Sequence, residues 1–154
     1  MVRRAFENRL GVQAPPDVIW EAFCDIEDWP SWNPLYPRAA GKLAFGAKLD
    51  LTLALPGRRP MPVEAIVESW TPNELIHWRT TRLAGFAKSI RYIEIEKLTE
   101  TGCIFSNGEI YEGRLGVFLA ERRARSIKAG FRAMGEAVKA RAEAAWRAQQ
   151  AATT

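Results

Sequence analysis

The sequence has few of the residues from which metal sites and covalent catalytic centres are built. Its 154 residues include one histidine, His77, and two cysteines, Cys24 and Cys103, which are far apart and form no metal-type or redox-type pair. A zinc site or a histidine-based triad therefore lacks the necessary side chains. The sequence also has no Gly-rich phosphate loop and no Gly-x-Ser-x-Gly motif. We therefore predict neither a metal ion nor a cofactor.

Long apolar runs are absent as well. No run approaches the roughly 20 residues that cross a bilayer, and the first residues lack the apolar stretch of a secretory signal. The composition, 47% hydrophobic and 26% charged, is ordinary for a soluble globular protein. We predict one cytoplasmic domain over residues 1–150, a disordered tail at 151–154, and two buried, unreactive thiols.

The C-terminal stretch 117–149 has one apolar stripe at helical spacing. The stripe comprises Ala120, Ala124, Ile127, Phe131, Met134, Val138 and Ala145. The other faces hold most of the basic excess behind the net charge of +4. A solvated helix back explains that excess, and peripheral contact with an anionic membrane is the alternative. The basic face has no interleaved aromatic residues to stack on bases, so we predict no nucleic-acid partner.

The middle of the chain changes from a period of 3.6 residues to a period of 2. After a strand at 2–13 and two short helices beginning at Pro16 and Asp25, alternating segments follow at 49–55, 63–70, 75–82, 90–98 and 103–112. Turns of a few residues between them imply antiparallel pairing. One strand, two short helices, about six strands and one long helix indicate the α+β class.

Several short motifs occur in an order that resembles a known superfamily. They are Pro15-Pro16-Asp17-Val18-Ile19-Trp20, Trp29-Pro30-Ser31-Trp32-Asn33-Pro34, Gly41, Gly46, Trp78, and the segment from Phe105 through Asn107, Glu109 and Tyr111 to Gly113. The chain resembles the START/Bet v 1-like (helix-grip) superfamily, within it the polyketide cyclase/dehydrase-like (SRPBCC) group. The resemblance implies a seven-stranded curved antiparallel sheet wrapped around the C-terminal helix, with an apolar cavity between them.

The same resemblance implies a function in binding or transporting a small hydrophobic ligand, such as a lipid, a polyketide or an aromatic molecule. A cyclase or dehydratase is the alternative, with Glu109 or Tyr111 as the catalytic acid or base, and a membrane-binding or partner-binding module is the third hypothesis. The residues predicted to bind the ligand are Trp29, Trp32, Trp78, Arg91, Ile93, Phe105, Asn107, Glu109, Tyr111, Ile127, Phe131 and Met134.

The last strand contains an inward-facing carboxylate, which is costly unless it has a partner. Phe105, Asn107, Glu109 and Tyr111 alternate onto one face, and Arg91 on the preceding strand is a candidate neighbour of Glu109. A buried Arg91–Glu109 ion pair that sets the strand register is one hypothesis. A polar contact that orients the ligand is the other.

Two further features have two interpretations each. Gly130 and Gly135, next to Phe131 and Met134 on the long helix, indicate either close packing against the sheet or space for a ligand. His77 alternates with the apolar Ile76 and Trp78, which favours a surface or packing role over proton transfer.

Overall fold

The structure, a computed structural model, describes residues 2–82 and 85–154. The elements are β1 (Arg3–Val12), α1 (Pro16–Phe23), a 3₁₀ helix (Ile26–Ser31), β2 (Arg38–Ala40), β3 (Lys48–Leu53), β4 (Met61–Thr71), β5 (Leu75–Arg82), β6 (Ala87–Thr99), β7 (Gly102–Glu112), α2 (Arg114–Arg122) and α3 (Ala124–Ala152). This order confirms the predicted α+β helix-grip fold. Helix α3 continues to Ala152, so the tail predicted to be disordered at 151–154 is partly helical.

The strands form one seven-stranded sheet in the order β1-β7-β6-β5-β4-β3-β2. Strands β2 to β7 pair with their sequence neighbours, whereas β1 pairs with β7 over the whole range from Arg3↔Glu112 to Val12↔Cys103. The segment with α1 and the 3₁₀ helix therefore joins the two opposite edges of the sheet. All the strand pairs are antiparallel, as the short turns predict.

The C-terminal helix is interrupted at Arg123. Its backbone amide donates to the carbonyl of Ala120, three residues back, at 3.0 Å, and its torsions, φ −109° and ψ 10°, leave the helical region. The predicted continuous helix over 117–149 is therefore two helices, α2 and α3. The break brings the Arg123 side chain to a half-buried position beside the sheet.

The predicted apolar stripe is buried along most of its length. Ala120, Ile127, Phe131, Met134 and Val138 are each at most 3% exposed. At the far end the buried residue is Ala142 and not Ala145, which is exposed. Helix α1 packs there, where the Arg141 guanidinium donates to the Ala22 carbonyl at 3.1 Å, so the contact face is set by α1.

The basic residues of the C-terminal helices are mostly in solvent. Arg122, Arg125, Lys128, Arg132 and Arg147 are exposed, as a solvated helix back requires. Among the residues that the structure describes, no helix is both long enough and apolar enough to span a membrane.

The two cysteines differ in their surroundings. Cys103 is buried, while Cys24 is partly exposed, so the prediction of two buried thiols is correct only for Cys103. Burial is the main cause that raises the pKa of each thiol. Because the thiolate is the reactive form, a raised pKa makes both side chains poor nucleophiles.

Candidate functional site

A cavity of about 170 Å³ lies where the sheet faces α2 and the beginning of α3. Most of its wall is apolar, with a few polar side chains, which is the usual character of a small-molecule site. The lining residues are Leu53, Leu55, Met61, Arg82, Ala87, Lys88, Ser89, Tyr111, Gly116, Leu119, Ala120, Arg123 and Ile127.

Small residues keep this space open. Ala87 on β6 and Gly116 and Ala120 on α2 contribute little or no side chain to the wall. A Cβ atom on Gly116 would have its nearest neighbour, the Lys88 carbonyl oxygen, at 3.7 Å, which is ordinary van der Waals contact. The glycine is therefore not required for close packing of helix on sheet at this point.

A narrow recess of about 10 Å³ adjoins the cavity and shares Leu53, Leu55, Arg82 and Tyr111 with it. Its other walls are Tyr36, Val63, Trp78, Thr80, Arg91, Glu109 and Phe131. Within the described part of the chain, the buried hydroxyl of Thr80 has no hydrogen-bond partner. The recess therefore offers a ligand an uncommitted hydroxyl beside the larger apolar cavity.

Arg91 is buried, 1% exposed, at the inner side of the recess. Its guanidinium donates to Asn107 Oδ1 at 2.8 Å, to the Gly108 carbonyl at 3.0 Å, to the Tyr92 carbonyl at 3.1 Å and to the Tyr36 hydroxyl at 3.2 Å. It also lies over the Phe131 ring, 4.3 Å from the centroid. These contacts occupy most of the donors of the guanidinium, so protein atoms already satisfy this cation.

Glu109 stands opposite Arg91 in the strand register, as the alternation predicts. Within residues 2–82 and 85–154, however, no Arg91–Glu109 contact of 4.0 Å or less is present, so the hypothesis of a direct buried ion pair is wrong. The guanidinium turns towards Asn107 instead. The Glu109 carboxylate, only 7% exposed, accepts a hydrogen bond from Ser89 Oγ at 3.1 Å.

Two buried phenols flank these charged groups. Burial raises the pKa of Tyr111 well above its ordinary value, and the negative charge of Glu109 together with a hydrogen bond to it raises the pKa further. Burial likewise raises the pKa of Tyr36, partly opposed by the positive charge of Arg91. Both phenols therefore stay protonated at neutral pH and act as hydrogen-bonding groups.

The predicted binding residues divide into two groups. Those that line the cavity or its recess are Trp78, Arg91, Glu109, Tyr111, Ile127 and Phe131. Those that lie elsewhere are Trp29, Trp32, Ile93, Phe105, Asn107 and Met134. The residues of the second group line neither the cavity nor its recess, and their contact with a ligand stays a prediction.

The packing of the second group shows why these residues are not on the wall. Trp29 is fully buried, donates its indole N–H to the Phe23 carbonyl at 2.7 Å and packs against Tyr36. Phe105 packs edge-on against Phe23. Trp32 lies under the guanidinium of Arg141, 4.7 Å from its ring centroid.

Ile93, Asn107 and Met134 are each 0% exposed. The Asn107 amide donates to the Phe131 carbonyl at 3.1 Å while its oxygen accepts from Arg91. Met134 Sδ also lies 3.3 Å from the Arg91 guanidinium. This part of the sheet and helix is packed core.

The alternation on β5 and β6 does indicate two cavity-lining residues that were not among the predicted binding residues. Arg82 continues the inward face of Trp78 and Thr80, and Ser89 continues that of Arg91 and Ile93. The lining residues on α2 and at Arg123 had no comparable signal, because the helix break is not visible in the apolar period.

The two helix glycines favour close packing over space for a ligand. A Cβ on Gly130 would lie 2.8 Å from a methyl of Leu35, and one on Gly135 would overlap the Asn8 side chain. Neither glycine lines the cavity. The interpretation of Gly130, Phe131, Met134 and Gly135 as the floor of a pocket is therefore wrong except for Phe131, which borders the recess.

His77 faces away from the cavity. Its Nε2 lies 2.8 Å from Glu94 Oε2, and its ring packs edge-on against Tyr92, while Ile76 and Trp78 point into the core. This placement agrees with the predicted surface and packing role.

Side chains able to ligate a metal are scattered over the part of the chain that the structure describes. No group of three or more His, Cys, Asp or Glu side chains there has the geometry to hold a metal ion.

Similarity to known proteins places the chain in a family. A family model described as polyketide cyclase/dehydrase and lipid transport matches residues 3–148. The chain belongs to this family. No curated protein sequence matches it.

Solved structures share the fold at low sequence identity. The Zhui aromatase/cyclase from Streptomyces sp. R1128 has a TM-score of 0.76 and 16% identity, over 92% of this chain and 94% of that chain. A norcoclaurine synthase point mutant from Thalictrum flavum, in complex with a transition-state analogue, has a TM-score of 0.70 and 17% identity, over 92% and 94%. A protein from Thermus thermophilus has a TM-score of 0.71 and 13% identity, over 92% and 99%. Identities this low show the shared fold alone.

Proposed function

We propose that the chain binds, and in this way carries or senses, a small and mostly apolar molecule in the cavity between the sheet and helices α2 and α3. The observation behind the proposal is the cavity of about 170 Å³, walled by Leu53, Leu55, Ala120 and Ile127. Burial of apolar ligand surface contributes roughly 25 cal/mol per Å².

Polar groups at one side of the cavity would orient the ligand. Ser89 hydrogen-bonds to Glu109, which leaves its hydroxyl oxygen as an acceptor for a ligand donor, and the protonated Tyr111 phenol can donate or accept. Thr80 in the recess is uncommitted and can donate or accept. A few such groups in an apolar wall are what fixes the orientation of a bound small molecule.

A neutral one-ring compound, toluene, tests the proposal. We expect toluene to shift the amide NMR resonances of residues lining the cavity, among them Ser89, Gly116 and Ile127, in a saturable way. Ala120→Leu fills part of the cavity and should weaken toluene binding tenfold or more. Ala129→Leu makes the same change on the exposed side of α3 and is the matched control.

Two results would contradict cavity binding. One is the absence of saturable shifts around the cavity. The other is an Ala120→Leu protein that is folded and binds toluene as tightly as the Ala129→Leu control.

The hydrogen-bonded group around Glu109 gives a second, smaller expectation. Glu109→Gln keeps an acceptor for Ser89 but removes the negative charge beside the Ser89 and Tyr111 hydroxyls. We expect weaker binding of a ligand with a hydroxyl group, such as benzyl alcohol, by about threefold to tenfold, with toluene binding unchanged. Titration calorimetry on both ligands measures this, and an unaltered affinity for benzyl alcohol would exclude the role in orientation.

A cyclase or dehydratase is the second candidate, and the position of Ser89 and Tyr111 in the cavity wall, with Glu109 in the adjoining recess, supports it. In a dehydration, the carboxylate would accept a proton from carbon while the protonated phenol donates one to the departing hydroxide, so that water leaves. Tyr111→Phe should then abolish turnover of a β-hydroxy ketone substrate yet leave toluene binding intact. Turnover that persists in Tyr111→Phe would rule out this role.

We also propose that this binding takes place in the cytoplasm. The two cysteines are both free, and pairs of cysteines that persist as thiols are typical of a reducing compartment. Fractionation of cells with an antibody against the chain tests the location, and recovery from an oxidising compartment would contradict it.

A further inference from the structure

Three cationic side chains line the cavity, namely Arg82, Arg123 and the exposed Lys88 of β6. Arg82 comes from the end of β5 and Arg123 from the break between α2 and α3, and both are half-buried in the wall. The positive charges of Arg82 and Arg58, after burial itself, lower the pKa of Arg123. The Tyr111 phenol lies close enough to both arginines to feel their charge. The wall near Tyr111 therefore holds the positive charges of these arginines as well as the negative charge of Glu109.

Among the described residues, no carboxylate forms an ion pair with these arginines. In residues 2–82 and 85–154, no Asp or Glu oxygen comes within 4.0 Å of the guanidinium nitrogens of Arg58, Arg82 or Arg123. Arg82 instead contacts the Met61 sulfur at 2.8 Å, a weak acceptor. Elsewhere on the molecule, half-exposed cations do pair, for example Arg4 with Glu121 at 2.6 Å.

This arrangement has an energetic consequence. Partly buried charges of one sign repel one another and lose hydration, so they are costly unless something of the opposite sign joins them. The residues that line the cavity include no Asp or Glu, and the Glu109 carboxylate in the adjoining recess accepts a hydrogen bond from Ser89. The two arginines are therefore available to an opposite charge that a ligand brings.

The cavity also limits the apolar part of a ligand. A closed apolar cavity of about 150 Å³ holds one benzene molecule. At about 170 Å³ the cavity matches one ring, or an aliphatic group of similar size.

We propose that the ligand is a small amphipathic acid: one ring or a short branched chain in the cavity, with an anionic oxygen head between Arg82 and Arg123. This specifies the ligand of the binding function proposed above and rests on it. The planar guanidinium groups suit a carboxylate or a phosphate, each with two oxygens for paired hydrogen bonds.

The test compares ligands of nearly equal shape and different charge. Toluene and benzamide are neutral, benzoate carries a carboxylate, and phenyl phosphate carries a phosphate. We expect calorimetry to show benzoate or phenyl phosphate binding at least tenfold tighter than benzamide at low salt, with the preference reduced at high salt. The anion that binds more tightly shows whether the site prefers a carboxylate or a phosphate head group.

Variants locate the head group. Arg82→Gln and Arg123→Gln should each weaken binding of the preferred anion about tenfold more than they weaken binding of benzamide or toluene. Arg125→Gln removes an exposed charge two residues along the same helix and should change none of them. Circular dichroism of each variant checks that it is folded.

The outcomes separate this inference from the function on which it rests. If toluene binds in the cavity and neither anion binds more tightly than benzamide, the anionic head is refuted and cavity binding stands. If the anions are preferred but Arg125→Gln weakens them as much as Arg123→Gln, the preference comes from general surface charge and the site is refuted. If toluene does not bind at all, both proposals fall.

Discussion

Arg91 and Arg82 enter the same interior from neighbouring strands, β6 and β5, yet their surroundings are opposite. Arg91 is 1% exposed and donates to an amide, two carbonyls and a hydroxyl of the protein. Arg82 is half-buried and its described polar contact is a thioether. A satisfied cation holds the sheet to α3, whereas an unsatisfied one on a cavity wall is available to a ligand.

The comparison extends to the packing around each arginine. Near Arg91, the recess narrows to about 10 Å³ between Trp78, Phe131 and Tyr36. Near Arg82, small residues leave about 170 Å³ open. One interior therefore contains a packed inner end and an open outer end, and three predictions test this division.

The largest expected effect is at the packed end. Arg91→Met leaves Asn107 Oδ1 and the Gly108 carbonyl without their donor, at about 1–3 kcal/mol for each buried acceptor. We expect a loss of about 3–4 kcal/mol in the free energy of unfolding, measured by urea titration. Arg82→Met, which leaves no buried acceptor of this kind, should lose less than about 1 kcal/mol. Equal losses of unfolding free energy in Arg91→Met and Arg82→Met would show that the two arginines are equally engaged by the protein.

A pair of glycine substitutions tests the packing directly. A Cβ on Gly108, next to the Arg91 contact, would lie 2.5 Å from the Phe6 carbonyl oxygen, so Gly108→Ala should cost about 1–3 kcal/mol. Gly116→Ala, on the cavity wall, meets only ordinary contacts and gains helix propensity, so it should stabilise by up to about 1 kcal/mol. Thermal unfolding measures both, and a destabilised Gly116→Ala protein would mean that the cavity end is closely packed.

The smallest expected effect is a loss of folding stability at alkaline pH. Phenols in the unfolded chain lose their protons near pH 10, whereas the raised pKa values of Tyr36 and Tyr111 keep them protonated in the fold. The stabilisation is complete below pH 10 and is lost as the pH rises above it, by at most about 1.4 kcal/mol per pH unit for each phenol. Urea midpoints between pH 9 and 11 measure the slope.

Single phenylalanine substitutions divide this slope between the two ends. Tyr36→Phe and Tyr111→Phe should each make the loss of stability with pH shallower. Each substitution removes one phenol whose pKa is higher in the folded than in the unfolded chain. A slope that neither substitution changes would place the alkaline transition in other groups.

Local pattern predicted most of the architecture. Alternation identified β3 to β7 to within a few residues, and Pro16 with Asp17 marked the beginning of α1. The three-residue strand β2 was missed because Arg38–Ala40 is too short to show a period of two. The break at Arg123 was missed because residues on both sides keep the apolar spacing, so only the backbone torsions reveal it.

The site was less predictable than the fold. The strand pattern placed Arg91 opposite Glu109, and the register agrees. Yet the guanidinium binds Asn107 and Gly108, and the carboxylate binds Ser89. Long side chains choose among all acceptors within reach, and several of these lie on strands or helices that the pairing alone does not locate.

The sequence by itself determined which residues face inward, because the periods of 2 and 3.6 follow from the backbone geometry of strands and helices. That was enough for an antiparallel sheet that covers the apolar stripe of a C-terminal helix, while the count of seven strands came from the resemblance to the helix-grip superfamily. Only the tertiary structure decided where the interior is filled and where it is open. Empty volume depends on how side chains from β3, β6, β7, α2 and α3 meet, and it opened at Ala87, Gly116 and Ala120, whereas Gly130 and Gly135 proved to be points of close contact.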